Sequence, residues 1–231
     1  MKAIVAASLA AMLFPLASQA QDIAPPAGCE AVLTVQSREC SVTNIFTCEG
    51  DSSIWEATYG ADGIDMLAQY SPDYIWLDIA YPWDGSRETF LEPAEDAPSM
   101  DELAKSGVDT FRYTIHRVAP DEDRLLTVIG ADRLTGRTEV IDGVTLAVVE
   151  AEIQILDDTG TVEYASKGTQ FLDTERGFFF AGVDRVQEPD GAETVYDNTP
   201  VDFILPGEPG FGATVPTRDC TAQEIRFEES R

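Results

Sequence analysis

From Gly50 to Pro200 the chain keeps returning to one unit, a run of alternating or β-rich residues closed by a turn signal. The signals are Ala61-Asp62-Gly63, Pro72-Asp73, Asp84-Gly85, Pro120-Asp121, Asp142-Gly143, Thr159-Gly160, Glu175-Arg176-Gly177 and Asp190-Gly191. Each offers Gly, Asp or Pro where the backbone must reverse. Spaced about 10–20 residues apart, they are the mark of an antiparallel meander. No two units share enough sequence to count as repeats, which argues against a propeller or a solenoid.

Alternation gives the strands their faces, because period two sends every second side chain to one side. Phe111, Tyr113 and Ile115 point one way, and Arg112, Thr114 and His116 the other. Ala147, Val149, Ala151, Ile153 and Ile155 form an apolar face opposite Glu150, Glu152 and Gln154. Strands with one dry and one wet face belong to an antiparallel sheet rather than an α/β core. The run Tyr74 to Trp83 sets Ile75, Leu77, Ile79 and Tyr81 on one face but loads the other with Tyr74 and Trp76. It reads as a strand covered on both sides. The segment 29–38 is readable as a strand or as a first helix. A last strand is expected over Val201 to Leu205, followed by a Pro/Gly-rich loop over 206–216.

One helix is signalled. Ser99-Met100-Asp101-Glu102 is a capping box, Lys105 falls in the last turn, and Gly107 can take the left-handed position that ends a helix. Two turns are not stable alone, so Met100, Leu103 and Ala104 must pack on the sheet. The expected fold class is all-β: a single curved antiparallel meander of about 9–11 strands, a barrel or half-barrel, with one short α-helix near 99–107.

The first twenty residues read as a secretory signal. Lys2 precedes an apolar stretch from Ala3 to Leu16, too short for a membrane span, and Ser18-Gln19-Ala20 fits cleavage after Ala20. A single β-rich domain over 21–231, periplasmic or secreted, is expected to follow. A lipoprotein-type acceptor at Cys29 is disfavoured, since lipidation would leave an odd number of cysteines in an exported protein.

Export makes pairing of Cys29, Cys40, Cys48 and Cys220 the natural expectation. If all four pair, Cys220 bonds to one of the early three, and three connectivities remain. Cys40 can meet Cys48 only if the chain reverses near Thr43-Asn44, because a continuous strand holds them roughly 26 Å apart. A hairpin turning near Ser37-Arg38 would bring Cys29 opposite Cys48. In a plain meander the first and last strands are the two edges, so a bond from Cys220 to the early trio would hold those edges near each other.

Acidic residues outnumber basic ones 42 to 15, for a net charge of −27. Such a surface repels nucleic-acid phosphates and anionic lipid, so neither is an expected partner; charge of this kind also favours a monomer. His116 is the lone histidine and sits mid-strand with no serine in nucleophile-elbow context. There is no C-x-x-C, so neither a redox pair nor a zinc ribbon is supported. Glu150 and Glu152 stand roughly 7 Å apart on one strand face, a spacing some glycosidases use, but a solvated face explains them. Acidic turns at Asp121-Glu122-Asp123 and Asp157-Asp158-Thr159-Gly160 lack EF-hand spacing. No catalytic constellation, metal site or cofactor motif is visible, so the chain is read as non-catalytic.

What remains is aromatic. Phe178-Phe179-Phe180 load both faces of one strand, and Trp55, Tyr70, Tyr74, Trp76, Tyr81 and Trp83 cluster in the preceding half. A small barrel fills its interior with such rings, and a larger or half-open one leaves an apolar pocket. The candidate pocket residues are Trp55, Trp76, Tyr81, Phe178 and Phe180.

Asp132-Arg133-Leu134-Thr135-Gly136, continuing through Ile141-Asp142-Gly143-Val144 to Glu152, resembles an uncharacterised group of exported proteins from Gram-negative bacteria. Tyr196-Asp197-Asn198-Thr199-Pro200-Val201-Asp202-Phe203 and Pro206-Gly207-Glu208-Pro209-Gly210-Phe211 add to the likeness. It covers about the last hundred residues and brings no activity or site residue with it. The leading functional expectation is therefore an exported protein that binds a small apolar ligand or an envelope protein. The alternatives are a structural or interaction protein with a filled core, and a hydrolase-type enzyme.

Overall fold

The computed structural model describes residues 26–50, 52–188 and 191–220. The expected leader, its cut after Ala20 and the charged tail from Glu224 lie outside the described residues.

Thirteen strands form one antiparallel sheet. In chain order they are β1 (Cys29–Ser37), β2 (Ser41–Cys48), β3 (Ile54–Gly60), β4 (Gly63–Tyr70), β5 (Trp76–Tyr81), β6 (Ser86–Asp96), β7 (Val108–Ala119), β8 (Glu122–Ile141), β9 (Val144–Leu156), β10 (Val162–Asp173), β11 (Phe178–Gln187), β12 (Glu193–Asp197) and β13 (Pro200–Ile204). A single helix, α1 (Met100–Ser106), interrupts the run between β6 and β7. All eight turn signals fall between consecutive strands. The ambiguous segment 29–38 is β1, and the short β12 is a further strand, which takes the number past the expected range. Among the described residues no helix is long and apolar enough to cross a membrane.

β1 through β12 follow each other in order across the sheet. The last strand breaks the meander. It crosses over and pairs with β1, setting Phe203 opposite Val35, so the free edges are β12 and β13 rather than the first and last strands. Cys220 consequently does not join opposite edges. It bonds to Cys40 in the β1–β2 turn, beside the strand that has already docked there. The other bond joins Cys29 to Cys48, directly opposite across the β1–β2 hairpin. Of the three connectivities, the hairpin at residues 38–40 selects this one. Two disulfides fit a protein of an oxidising compartment.

The sheet does not close edge to edge; its two ends overlap. Residues directly opposite across an antiparallel ladder point to the same side. Through that rule Leu33, Val35 and Phe203 share a face with Ile45 and Glu56, the concave side. At the other end Val149, Gln170 and Leu172 lie on the concave side, while Val148, Phe171 and Phe180 lie on the reverse. The reverse side of β9–β11 packs against the concave side of β1 and β13: Leu33, Val35, Val148, Phe171, Phe180 and Phe203 belong to one buried cluster. The rings of Phe180 and Phe203 are 5.0 Å apart, and Asp142 Oδ2 accepts the Phe203 N–H at 2.9 Å. The molecule is thus a scroll. Overlap also explains why Phe178-Phe179-Phe180 carries rings on both faces, and why β9 buries Leu146 and Val148 opposite the apolar face read from its alternation.

The helix forms as its caps dictate. The Ser99 hydroxyl accepts the Glu102 N–H, and Gly107 adopts φ 78°, returning its N–H to the Leu103 carbonyl. Two amides at its start are held by carboxylates of the sheet, Ser99 N by Asp109 Oδ2 at 3.0 Å and Met100 N by Asp73 Oδ1 at 3.1 Å. Leu103 is buried against Val149 and Leu172, with Met100, Leu134 and Phe179 packed around them.

After β13 the chain returns as a strap across the convex side of β1 and β2. Thr34, Gln36 and Asn44 are fully buried there. Asn44 Nδ2 donates to the Ala213 carbonyl at 2.9 Å, Thr34 Oγ1 accepts the Gly212 N–H at 2.8 Å, and Gln36 Oε1 accepts the Thr217 N–H at 2.9 Å. Thr34 also donates to Asn44 Oδ1 at 2.6 Å. The strap ends in the Cys40–Cys220 bond, next to a hydrogen bond from Cys40 N to the Arg218 carbonyl.

Candidate functional site

The scroll surrounds a cavity of about 670 Å³ that is partly open to solvent. Its aromatic wall comes from β4, the β4–β5 loop, β5, β7 and β11, with Tyr70, Tyr74, Trp76, Tyr81, Phe111, Tyr113 and Phe179 lining the space. Two local features bring these rings together. The ladder slips between β4 and β5 beside Gln69 and Tyr70, which shifts the phase of β5. Trp76 and Tyr81, on opposite faces by period two, therefore both reach the cavity. The second feature is Gly130, directly opposite Phe111. The Phe111 ring lies where a β-carbon at this position would sit, so only glycine admits that wall.

Of the five candidate pocket residues, Trp76, Tyr81 and Phe180 line the cavity, Phe180 at the seam where the scroll overlaps. Trp55 does not. It lies on the convex face with Phe46, Ala57 and Tyr59, because Glu56 takes the concave position of β3. Phe178 is buried in the overlap rather than on the cavity wall.

The feature that composition concealed is a set of inward carboxylates. Following the ladders from β2 to β7, one concave row reads Ile45, Glu56, Ala68, Ile79, Glu88, Arg117. Glu88 has its counter-ion, since Arg117 Nη1 donates to Glu88 Oε1 at 2.9 Å. Burial still raises the Glu88 carboxyl, with Arg117 and the Tyr81 hydroxyl pulling it back down. Glu56 has apolar neighbours on both sides in the row, and its Oε1 is buried with no hydrogen-bond partner. Burial pushes its carboxyl up to about 8. Near α1, Asp109 and Asp132 stand directly opposite each other on β7 and β8, a like-charge pairing that disfavours the sheet. Asp109 is 3% exposed, and its Oδ1 has no partner. Burial, helped by Asp109, raises Asp132 to about 6. Burial also raises Asp109, although the Ser99 N–H favours its charged form.

No protein-family model, curated protein or solved structure matches this chain. Its chemistry has to be read from the cavity itself.

The other titratable candidates lie elsewhere. His116 sits on the outer face of β7, its Nε2 2.7 Å from Asp123 Oδ1. Glu150 and Glu152 are exposed, and Glu152 faces Lys167 at 3.5 Å. Among the described residues no group of three or more His, Cys, Asp or Glu side chains could hold a metal ion.

Proposed function

We propose that this protein is a non-catalytic periplasmic or secreted binder that holds a small, largely apolar ligand inside the scroll. The cavity carries the reading. At about 670 Å³ it falls within the size range of small-molecule sites, and it combines an aromatic wall with polar groups, several of them carboxylates, that can orient a ligand. A protein whose role was purely structural would gain stability by filling that space, since packing contacts are lost around a void. The two disulfides and the signal-like leader support an exported compartment for the binder.

The test is uptake of a neutral naphthalene dye by the folded, oxidised protein. Fluorescence should rise and saturate. Ala151, on the cavity wall, is the site for an obstructing change: Ala151→Trp narrows the space and should weaken the response while leaving the fold intact by circular dichroism. An unchanged response in that variant would place dye binding elsewhere and remove the reading.

A further inference from the structure

The carboxylates of the cavity wall differ from the other buried polar side chains of the molecule. The polar side chains buried under the strap are hydrogen-bonded, and so is the buried Asp173, which accepts the Glu175 and Arg176 amides and the Arg176 guanidinium. Inside the cavity, by contrast, Glu56 Oε1 and Asp109 Oδ1 have no partner. Arg117 is the sole Lys or Arg among the lining residues, and it is already engaged with Glu88 and Glu122. A buried carboxylate without a cation or donors is costly to hold in a fold. Such a cost is offset when the missing partner arrives with a ligand.

We infer that the cavity selects a ligand carrying an ammonium group, a small amphiphilic amine whose cationic end sits on Glu56 and whose apolar body lies along the aromatic wall. This rests on the cavity being the ligand site. Glu56 is favoured over the Asp109–Asp132 pair for two reasons. Asp109 already accepts an amide at the start of α1, whereas Glu56 accepts nothing in the row it shares with Ile45 and Ala68. Glu56 also lies beside rings suited to a cation: those of Tyr70 and Tyr74 are 5.2 Å apart, and Trp76 is the ladder partner of Tyr70. Aromatic faces attract an ammonium group most strongly where water is excluded. A metal ion is the weaker fit, because the inward carboxylates do not converge as ligation requires. An anionic lipid or fatty acid would find no cation at Glu56 and would be repelled by its ionised form.

The experiment uses decylamine, decanol and decanoate as competitors for the dye on the full oxidised protein. Decylamine should displace dye at about tenfold lower concentration than decanol, with decanoate weakest. Glu56→Gln should reduce the amine to the level of the alcohol, and Asp132→Asn should leave the preference in place. The amine preference should also depend on pH. Glu56 must ionise to hold the ammonium, so decylamine affinity should rise about tenfold per pH unit toward the free carboxyl's value of about 8 and then level off, while decanol stays flat. The groups facing Glu56 are the hydroxyls of Tyr70 and Tyr74, both raised by burial, and further along the row the Glu88–Arg117 pair. The tyrosines stay neutral over this range, and the ion pair carries no net charge.

Equal displacement by amine and alcohol would overturn the inference and leave the cavity reading standing. No dye uptake at all would overturn both. A preference that survives Glu56→Gln but is lost in Asp132→Asn would overturn the assignment to Glu56. The wild-type pH profile and the amine-to-alcohol ratio need no variant, so a Glu56→Gln protein that failed to fold would not shield the inference from refutation.

Discussion

The convex face of β1–β2 and the concave wall of the cavity both bury polar side chains, and they treat them oppositely. On the convex side Thr34, Gln36 and Asn44 are each matched to an atom of the strap or to one another. On the concave side Glu56 and the Asp109–Asp132 pair face a cavity. The two regions lie back to back on the same strands, for β2 carries Asn44 outward and Ile45 inward beside Glu56. The first arrangement is what a fold needs to hold itself together. The second is what a fold tolerates when something else completes it.

The largest test of this contrast is the strap's anchor. Replacing Cys40 and Cys220 together by serine opens a loop with a sequence separation of 180 residues, against 19 for Cys29 and Cys48. In the chain-entropy model the long loop is worth about 5 kcal/mol and the short one about 3 kcal/mol. Urea midpoints of the two double variants should fall in that order, and the reverse order would mean that the strap contributes little.

Glu56→Gln tests the other side, with the opposite sign. Unfolded, the carboxyl titrates near its ordinary 4.5, and in the fold at about 8. Between those values the unfolded chain has lost a proton that the folded chain keeps, so wild-type stability falls as pH rises through that window. The glutamine variant does not titrate there. It should match wild type at about pH 4 and exceed it by a few kcal/mol above about pH 8. Thermal scans at both ends would show this, and a glutamine variant less stable at alkaline pH would mean that the carboxylate is structural after all.

Asn44→Ala should cost about 2 kcal/mol, because it removes two hydrogen bonds and leaves the Ala213 carbonyl and the Thr34 hydroxyl short of a partner. Its effect should be independent of pH over the same range, unlike that of Glu56→Gln. The smallest effect expected is at the helix. Ser99→Ala removes the cap that accepts the Glu102 amide and should cost about 1 kcal/mol in chemical denaturation.

Much of the fold was legible because local chemistry decided it. The turn signals, the capping box of α1 and the inward set Phe111, Tyr113 and Ile115 follow from backbone geometry and period two. The crossover of β13 and the overlap of the sheet were not, since both depend on contacts between residues far apart in sequence. Their trace was present in Phe178-Phe179-Phe180, a strand with nothing to spare for solvent on either face. The carboxylates in the cavity were hidden by numbers, for in so acidic a chain a single inward Asp does not stand out. Asp109 was recoverable nonetheless, being two residues before Phe111 and so in phase with an apolar face. Glu56 was not. Trp55, Ala57 and Tyr59 present the more apolar side of β3, and period two alone assigns that side to the interior.

A closed barrel has its bore fixed by strand number and stagger, because every strand is committed to two neighbours. A scroll is locked by other means. Its overlap is held by ring contacts such as Phe180 on Phe203, by the Phe203 amide on Asp142, and by Arg38 of the β1–β2 turn, whose guanidinium meets Asp197 at the end of β12. Here β12 runs into β13 through Asn198 and Thr199 alone, so two residues tie the opposite edges of the sheet together. The width of the scroll is therefore set by a short covalent tether between its edges, where a barrel would set it by pairing them.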